Sequence, residues 1–261
     1  MTTNNTENSA GVSDKFQWQR VMMVARYYWP RIGWQIKFYP LISLAVLGLV
    51  VLCHVAGIAE LHSSVAGILM YFVTFGAITL GMRRDYPITT VMPAKGSEKC
   101  AFVLLFVFVV LPVLAILPCE LGSWLLYGQS AFLSVAGMEE AEEMSALMDN
   151  MVPYTVAQTL MAMATCMWMV VSSKRLRVLK GILVPVILQF VIGIVVGIVV
   201  AMSAIANVQT GGPRVHSRSG FDPSAVVDSI QSFADWMVPI LAVYVVFAVY
   251  KGCRAICRRT L

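Results

Sequence analysis

The sequence contains few side chains of the types used in catalysis, and none of them matches the spacing of a known catalytic motif. No Gly-x-x-x-x-Gly-Lys-Ser/Thr run exists to cradle a nucleotide phosphate, and no His-Glu-x-x-His zinc pattern exists either. The 3 histidines, His54, His62 and His216, are too scattered in the sequence to predict a shared metal ion. The adjacent Glu139 and Glu140 lack the arginine and the downstream histidines that an intramembrane protease of the CAAX type would add. We therefore predict no enzymatic activity and no bound cofactor.

Sulfur side chains are the other chemical resource, with 16 Met and 6 Cys. Thioethers are ligands that Cu(I) prefers, so copper binding is one interpretation of the methionines around Cys166 and beside the acidic stretch near Glu139. Because no tight Met-x-x-Met ladder appears, apolar packing is the favoured interpretation. The cysteines indicate no redox role. Most lie in or beside apolar stretches, and Cys253 and Cys257 lack two further ligands for a metal.

The elements that hold these residues are those of a membrane protein. The 261 residues are 59% hydrophobic and 13% charged, with a mean hydropathy of +0.77. Soluble domains have about 45–50% apolar and about 25% charged residues. A helix needs about 20 apolar residues to cross the hydrocarbon, and continuous runs of that length exclude an outer-membrane barrel. We predict an all-α integral membrane protein with six transmembrane helices, at Tyr39–Gly57, His62–Gly81, Ala101–Leu121, Val152–Ser173, Gly181–Ala206 and Trp236–Tyr250.

Positive charge is divided unevenly between the two sets of loops. All of the 19 Lys and Arg except Arg214 and Arg218 fall on the side that carries both termini. The positive-inside rule therefore places both termini on the cytoplasmic side, in a protein of the cell (inner) membrane. The net charge of +5 is then explained by anionic lipid at the inner leaflet, with no need for nucleic acid.

Segments outside the spans fall into four kinds. Residues 1–14 are a polar, disordered cytoplasmic lead without the apolar core of a signal peptide, and residues 252–261 form a basic cytoplasmic tail.

Residues 15–38 mix cations with aromatics and predict an interfacial amphipathic helix that Pro30 breaks or kinks. The six-helix membrane domain occupies residues 39–251. Outside the membrane we expect a short acidic helix within 128–150 and an amphipathic helix that begins at Pro223, before span six.

Polar side chains within the spans are the intramembrane candidates for function. They are His54, Glu120, Gln158 and Gln189, and interhelical hydrogen bonding is the favoured role of the two glutamines. Gly193-x-x-x-Gly197, extended by Ala201, predicts a face for close helix packing. The partner at that face is either another span or a second subunit.

The loop after the second span is the most distinctive stretch. It is compact and charged, which suits docking to a cytoplasmic partner, although a simple turn with snorkelling cations is the competing interpretation. Its candidate residues are Arg83, Arg84, Asp85, Pro93, Glu98 and Lys99.

The order of these parts resembles the ABC-2 type permease subunits. The segment Thr90–Lys99 is also similar to the L-P-A-S-x-x-E-K stretch of bacterial, Bacteroides-type, ABC-2-like membrane proteins. Pro93, Ala94, Glu98 and Lys99 fit that stretch, whereas Met92 replaces its leucine and Lys95 its serine.

The resemblance implies a permease that has no catalysis of its own and is paired with a separate cytoplasmic ABC-type ATPase. The loops Arg83–Lys99 and Ser173–Lys180 would couple to that ATPase, and a second copy or a related permease subunit would complete the pathway for an amphiphilic substrate. The alternative is a non-transporting membrane anchor or envelope sensor that binds a partner through its outer acidic segment. An ion-driven transporter is disfavoured because the spans hold almost no central carboxylate.

Overall fold

The structure, a computed structural model, describes residues 16–56, 71–80, 94–127, 142–173, 175–210 and 223–259. These residues are almost entirely helical, and no strand occurs among them. The α-helices are α1 (Trp18–Val55), α2 (Gly96–Leu105), α3 (Leu111–Tyr127), α4 (Glu142–Ser172), α5 (Arg177–Thr210) and α6 (Pro223–Arg259). A 3₁₀ helix covers Gly76–Leu80, and a π-helical turn at Phe106–Val110 joins α2 to α3.

Four helical stretches in the described part of the chain are long and apolar enough to cross a membrane. They are Gly96–Leu126, Pro153–Ser172, Arg177–Val199 and Gln231–Arg258, and they correspond to predicted spans three to six. The apolar stretch of α1, Lys37–Leu52, is shorter than these. Half of predicted span two lies outside the described residues. A helical protein with four helices long and apolar enough to cross a membrane is thereby confirmed. Six spans and the cytoplasmic placement of the termini stay predictions.

Helix α1 joins two segments that the sequence suggested were separate. It runs from Trp18 to Val55 through both Pro30 and Pro40, so Pro30 does not break the helix, and the alternative of a kink there stays a prediction. A proline removes only its own hydrogen bond to the preceding turn, and a long helix continues past it when packing supports both sides. Here the described residues before Pro30 include Val21 and Val24, and both are buried.

The two helices predicted outside the membrane are continuous with spans in the described residues. Helix α6 begins at Pro223, as predicted, but it continues without interruption through span six to Arg259. Glu142 and Glu143 belong to α4, which continues through span four to Ser172, so they do not lie on a separate short helix. The rest of the predicted acidic helix, 128–141, lies outside the described residues.

The helices pack as two bundles. Helix α1 packs chiefly against α3 and the start of α2, whereas α4 packs chiefly against α6 and α5. Helices α1, α2 and α5 begin at the end of the molecule where α4 and α6 end. We call this end the basic end. At that end both bundles contribute to one buried cluster, the junction core, which includes Val21, Val24, Cys100, Phe102, Val103, Met163, Met167, Val170 and Ile256.

Beyond the junction core, which reaches as far as Tyr39 of α1 and Ala115 of α3, the buried clusters of the two bundles are separate. Val46, Leu47 and Val50 of α1 pack with Cys119 of α3. Ala157 and Met161 of α4 pack with Ile192 of α5 and Leu241 of α6. Among the described residues, the two bundles therefore share a hydrophobic core that begins at the basic end, and they form their own cores beyond it. The buried Met161, Met163 and Met167 serve as apolar packing, as favoured for the methionines around Cys166.

A tight turn connects α4 to α5 at the basic end. Arg177 donates a hydrogen bond from Nε to the Ser173 carbonyl at 2.9 Å, which covers one of the last carbonyls of α4. Leu176 adopts a positive φ of 53°, a conformation in which Cβ crowds the following carbonyl. Its side chain is exposed, so no packing offsets this cost.

We expect Leu176→Gly to raise stability by about 0.5–1 kcal/mol, because glycine removes a left-handed penalty of about 1–2 kcal/mol and adds some unfolded-state entropy. The measurement is the thermal unfolding midpoint in detergent. Leu179→Gly is the matched control, since Leu179 is also exposed but lies within α5. That control should lower stability. Equal shifts in both variants would contradict the argument from φ.

Candidate functional site

The carboxylate of Glu98 ties the beginning of α2 to the beginning of α1. Its Oε2 accepts a hydrogen bond from the Lys95 backbone N–H at 3.0 Å, which closes the amino-terminal end of α2. Its Oε1 accepts one from the Gln17 backbone N–H at 3.2 Å, just before α1 begins. The same oxygen lies 3.9 Å from Nη1 of Arg20. We call these four residues the Glu98 clamp.

The carboxylate at the centre of the Glu98 clamp is closed off from solvent. The Glu98 side chain is 0% exposed and that of Arg20 is 18% exposed. Nη1 of Arg20 is buried and has no hydrogen-bond partner among the described residues, so the 3.9 Å ion pair is its recorded polar contact. A buried charge that loses its partner is strongly destabilising. The Glu98 carboxylate therefore stabilises the beginning of α1 and the beginning of α2 together.

Aromatic packing continues this connection between α1 and α2. The rings of Tyr28 and Phe102 stack with centroids 5.7 Å apart, and Phe102 stacks on Phe106 at 5.9 Å. Tyr28, Phe102 and Phe106 are all buried. Polar and apolar contacts thus fix α1 and α2 to each other over neighbouring turns.

A disulfide connects the two bundles at the same end. Cys100 of α2 is bonded to Cys253 of α6, with Cα atoms 5.5 Å apart and 153 residues between them in the sequence. The expectation that the cysteines have no redox role is wrong for this pair. Spacing could not reveal it, because the two cysteines meet only when α2 and α6 pack. The available signal was that each lies at the basic end of a predicted span.

Only some residues of the predicted coupling loop lie within the described part of the chain. Arg83, Arg84, Asp85 and Pro93 lie outside the described residues. Glu98 and Lys99 belong to the first turn of α2 and are buried, with Lys99 only 2% exposed. A side chain in this position would contact a partner only after the junction core opened.

The predicted intramembrane polar residues lie on different helices. The backbone of His54 belongs to the last turn of α1, and its side chain lies outside the described residues. Glu120 on α3, Gln158 on α4 and Gln189 on α5 are each half-buried. Their individual roles stay predictions.

Hydroxyl groups make the polar contacts between spans instead. Ser43 of α1 accepts a hydrogen bond from the Cys119 backbone N–H of α3 at 3.0 Å. Thr165 of α4 donates to the Met161 carbonyl at 2.8 Å, and its oxygen lies 3.2 Å from the Tyr244 hydroxyl of α6. Sequence reasoning missed Ser43 and Thr165 because small hydroxyl residues in spans are common and satisfy themselves within their own helix.

The predicted packing face of α5 is open. A Cβ atom added at Gly193 or Gly197 would meet no described atom within 4 Å, and Ala201 is exposed. Close contacts at glycine occur elsewhere, as at Gly122, where an added Cβ would lie within 2.5 Å of a Leu47 methyl group. Packing at Gly193 and Gly197 against a second subunit stays a prediction.

Chemically, the basic end holds a buried carboxylate, Glu98, a buried Lys99 and a disulfide. Among the residues that the structure describes, no three His, Cys, Asp or Glu side chains come together as a metal site. A comparison of the chain with protein-family models, with curated proteins and with solved structures gives no match. What the fold defines is a class, a helical protein with four helices long and apolar enough to cross a membrane.

Proposed function

We propose that this chain is the membrane-spanning permease subunit of an ABC-2-like transporter, which moves an amphiphilic substrate with energy from a separate cytoplasmic ATPase. Both termini and the basic end face the cytoplasm in this proposal, and the chain has no catalytic activity of its own. The observation that carries it is the arrangement of the two bundles, which share a core that begins at the basic end and have separate cores beyond it.

The coupling loop leads into this shared core. The chain passes from the segment around Arg83 through Lys95 into the first turn of α2, where Glu98 is bonded to the beginning of α1. Cys100, two residues further, lies against α6 of the other bundle. A displacement of the loop by a docked ATPase would therefore reach both bundles through the buried contacts of α2 with α1 and with α6. In this interpretation Glu98 transmits the displacement and does not contact the ATPase.

Lipid and a second subunit account for the outer surface. Only 6% of the most apolar part of α5 is buried, so apolar side chains cover the helix on nearly every side. Lipid solvates such a surface. The open face at Gly193 and Gly197 would accept a second copy of the chain or a related permease subunit.

Affinity purification tests this proposal. We expect an ABC-type ATPase to remain bound to the full-length protein in mild detergent, and Arg83→Gln with Arg84→Gln to reduce its recovery roughly tenfold, about 1.4 kcal/mol of binding free energy. Arg254→Gln with Arg258→Gln is the matched control, because both arginines are exposed at the basic end and the change in charge is equal. Bound proteins are identified and quantified by mass spectrometry.

The outcomes separate the two candidate functions. Recovery of the protein alone, or with an external partner only, would contradict the permease proposal and favour an anchor or sensor. Equal loss of the ATPase from the loop variant and from the control would show that general charge, and not the loop, holds the partner.

A further inference from the structure

We propose that Cys100 and Cys253 form a reversible dithiol–disulfide pair that clamps the two bundles together at the basic end. The disulfide connects α2 of one bundle to α6 of the other, within the junction core. Its two cysteines are 153 residues apart in the sequence, so the bond bridges most of the chain. The function proposed above does not use this pair, because coupling through the loop needs contact between α2 and α6 but no covalent bond.

The backbone already holds the two cysteines at bonding distance. A Cα–Cα distance of 5.5 Å lies inside the range of about 4.4–6.8 Å that disulfides span, so oxidation and reduction need no large movement of either helix. Packing contacts keep the helices in this register. Cys100 and Ile256 belong to the junction core, and the close approach of Gly252 to Met167 fixes α6 against α4.

The two sulfur atoms differ in their access to solvent. Cys100 is only 7% exposed, whereas Cys253 is half-buried, one turn from the exposed Arg254 side of α6. A small reagent in solution would therefore meet Cys253 first.

Reversibility is inferred from the compartment. The basic end is the cytoplasmic end in the proposed orientation, and the inference rests on that part of the proposed function and not on transport. Glutathione keeps cytoplasmic thiols reduced, so a disulfide there forms transiently and serves regulation. At an external surface the same bond would be permanent.

The reaction is a pair of thiol–disulfide exchanges with glutathione disulfide as the oxidant. The Cys253 thiolate attacks one sulfur of glutathione disulfide, the glutathione S–S bond breaks, and one glutathione thiolate leaves. The Cys100 thiolate then attacks Cys253 Sγ, the mixed disulfide breaks, and the second glutathione thiolate leaves. Two cysteine protons end on two glutathione thiols, and the two electrons lost by the cysteines reduce the glutathione disulfide. Reduced glutathione drives both steps backwards.

The test is a redox titration of the full-length protein in its own membrane vesicles. Vesicles permeable to glutathione are equilibrated at a series of ratios of reduced to oxidised glutathione, quenched with acid, and alkylated. The peptide that joins Cys100 to Cys253 is then quantified by mass spectrometry. We expect it to change from nearly complete to nearly absent across ratios that include those of a reducing cytoplasm.

Single substitutions serve as controls. Cys100→Ser and Cys253→Ser should each abolish the joined peptide. Cys257→Ser should leave the titration unchanged, since Cys257 lies one turn further along α6 and outside the disulfide. A joined peptide that persists in excess reduced glutathione, or that never forms with glutathione disulfide alone, would overturn the proposal.

A separate measurement tests whether the disulfide restrains the contact between α2 and α6. In hydrogen–deuterium exchange, the backbone amides of the first two turns of α2 should exchange at least several-fold more slowly in the oxidised protein than in the reduced protein. Unchanged exchange would show that the bond forms but does not restrain the junction, which would overturn the clamp. None of these measurements needs a bound ATPase, so failure of the permease proposal leaves the redox test intact.

Discussion

Glu98→Ala is expected to lower the stability of the protein by about 3–5 kcal/mol, because removing one partner of a buried ion pair leaves the other charge uncompensated. Arg20 would keep a buried Nη1 without its carboxylate, and the backbone N–H groups of Gln17 and Lys95 would lose their acceptor. Domains are stable by only about 5–15 kcal/mol, so the loss would be a large fraction of the whole. The measurement is the thermal unfolding midpoint and the yield of monodisperse protein in detergent.

Two further variants refine the test of the Glu98 clamp. Glu98→Gln keeps one of the two oxygens that accept a backbone N–H and removes the other acceptor and the negative charge, so its effect should be smaller than that of alanine. Asp235→Asn is the control, because Asp235 is exposed on α6 and the same charge is lost without burial. If Glu98→Ala unfolds at the temperature of the wild type, the Glu98 clamp does not hold α1 to α2.

The position of Glu98 also decides how the coupling loop is tested. Loss of transport in a Glu98→Ala and Lys99→Ala variant would follow from damage to the junction core, because both side chains are buried. Such a variant would not distinguish coupling from folding. The exposed control pair on α6 and the substitutions at Arg83 and Arg84 avoid this ambiguity, since they leave the Glu98 clamp unchanged.

The sequence predicted the helical membrane fold from its apolar runs, because lipid imposes the same length and composition on every spanning helix. It did not predict where those helices begin and end. Hydropathy reports where the chain is apolar, whereas a helix continues through polar residues when its backbone bonds remain satisfied. The extension of α6 back to Pro223 and of α4 back to Glu142 are examples.

The contacts at the basic end were beyond the reach of sequence patterns for a different reason. Glu98 and Lys99 were recognised as notable charges, but the acceptor role of Glu98 toward Gln17 depends on two segments 81 residues apart. The disulfide between Cys100 and Cys253 likewise depends on two segments that are far apart in the sequence. A local pattern reports which residue types are near in sequence, and packing decides which of them meet.

Glycine shows the same limitation at the contact between α1 and α3. The Gly193-x-x-x-Gly197 motif is easily seen in the sequence, but both positions are open in the structure. Gly122 belongs to no motif, yet the space that its Cβ would take is filled by Leu47. Leu47 is itself buried beside Cys119, next to the Ser43 hydrogen bond that joins the two helices.

Gly122→Val should therefore destabilise the protein by about 1–3 kcal/mol, the cost of adding atoms to a filled interface. Gly193→Val is the matched control on another span, and it should change the unfolding midpoint by no more than about 0.5 kcal/mol because its side chain would extend into open space. Both substitutions replace a helical glycine with the same residue, so helix propensity cancels between them. Thermal unfolding in one detergent compares the two.

A second substitution identifies the clash. Leu47→Ala removes the methyl groups that the new side chain would meet, so the Gly122→Val and Leu47→Ala double variant should be more stable than the sum of the two single effects predicts. Additive effects would mean that Leu47 is not the obstacle. If Gly193→Val is instead as damaging as Gly122→Val, the open face of α5 is occupied in the folded protein. No described atom of the chain lies there, so dissociation of a second subunit by the same variant on size-exclusion chromatography would identify that subunit as the occupant.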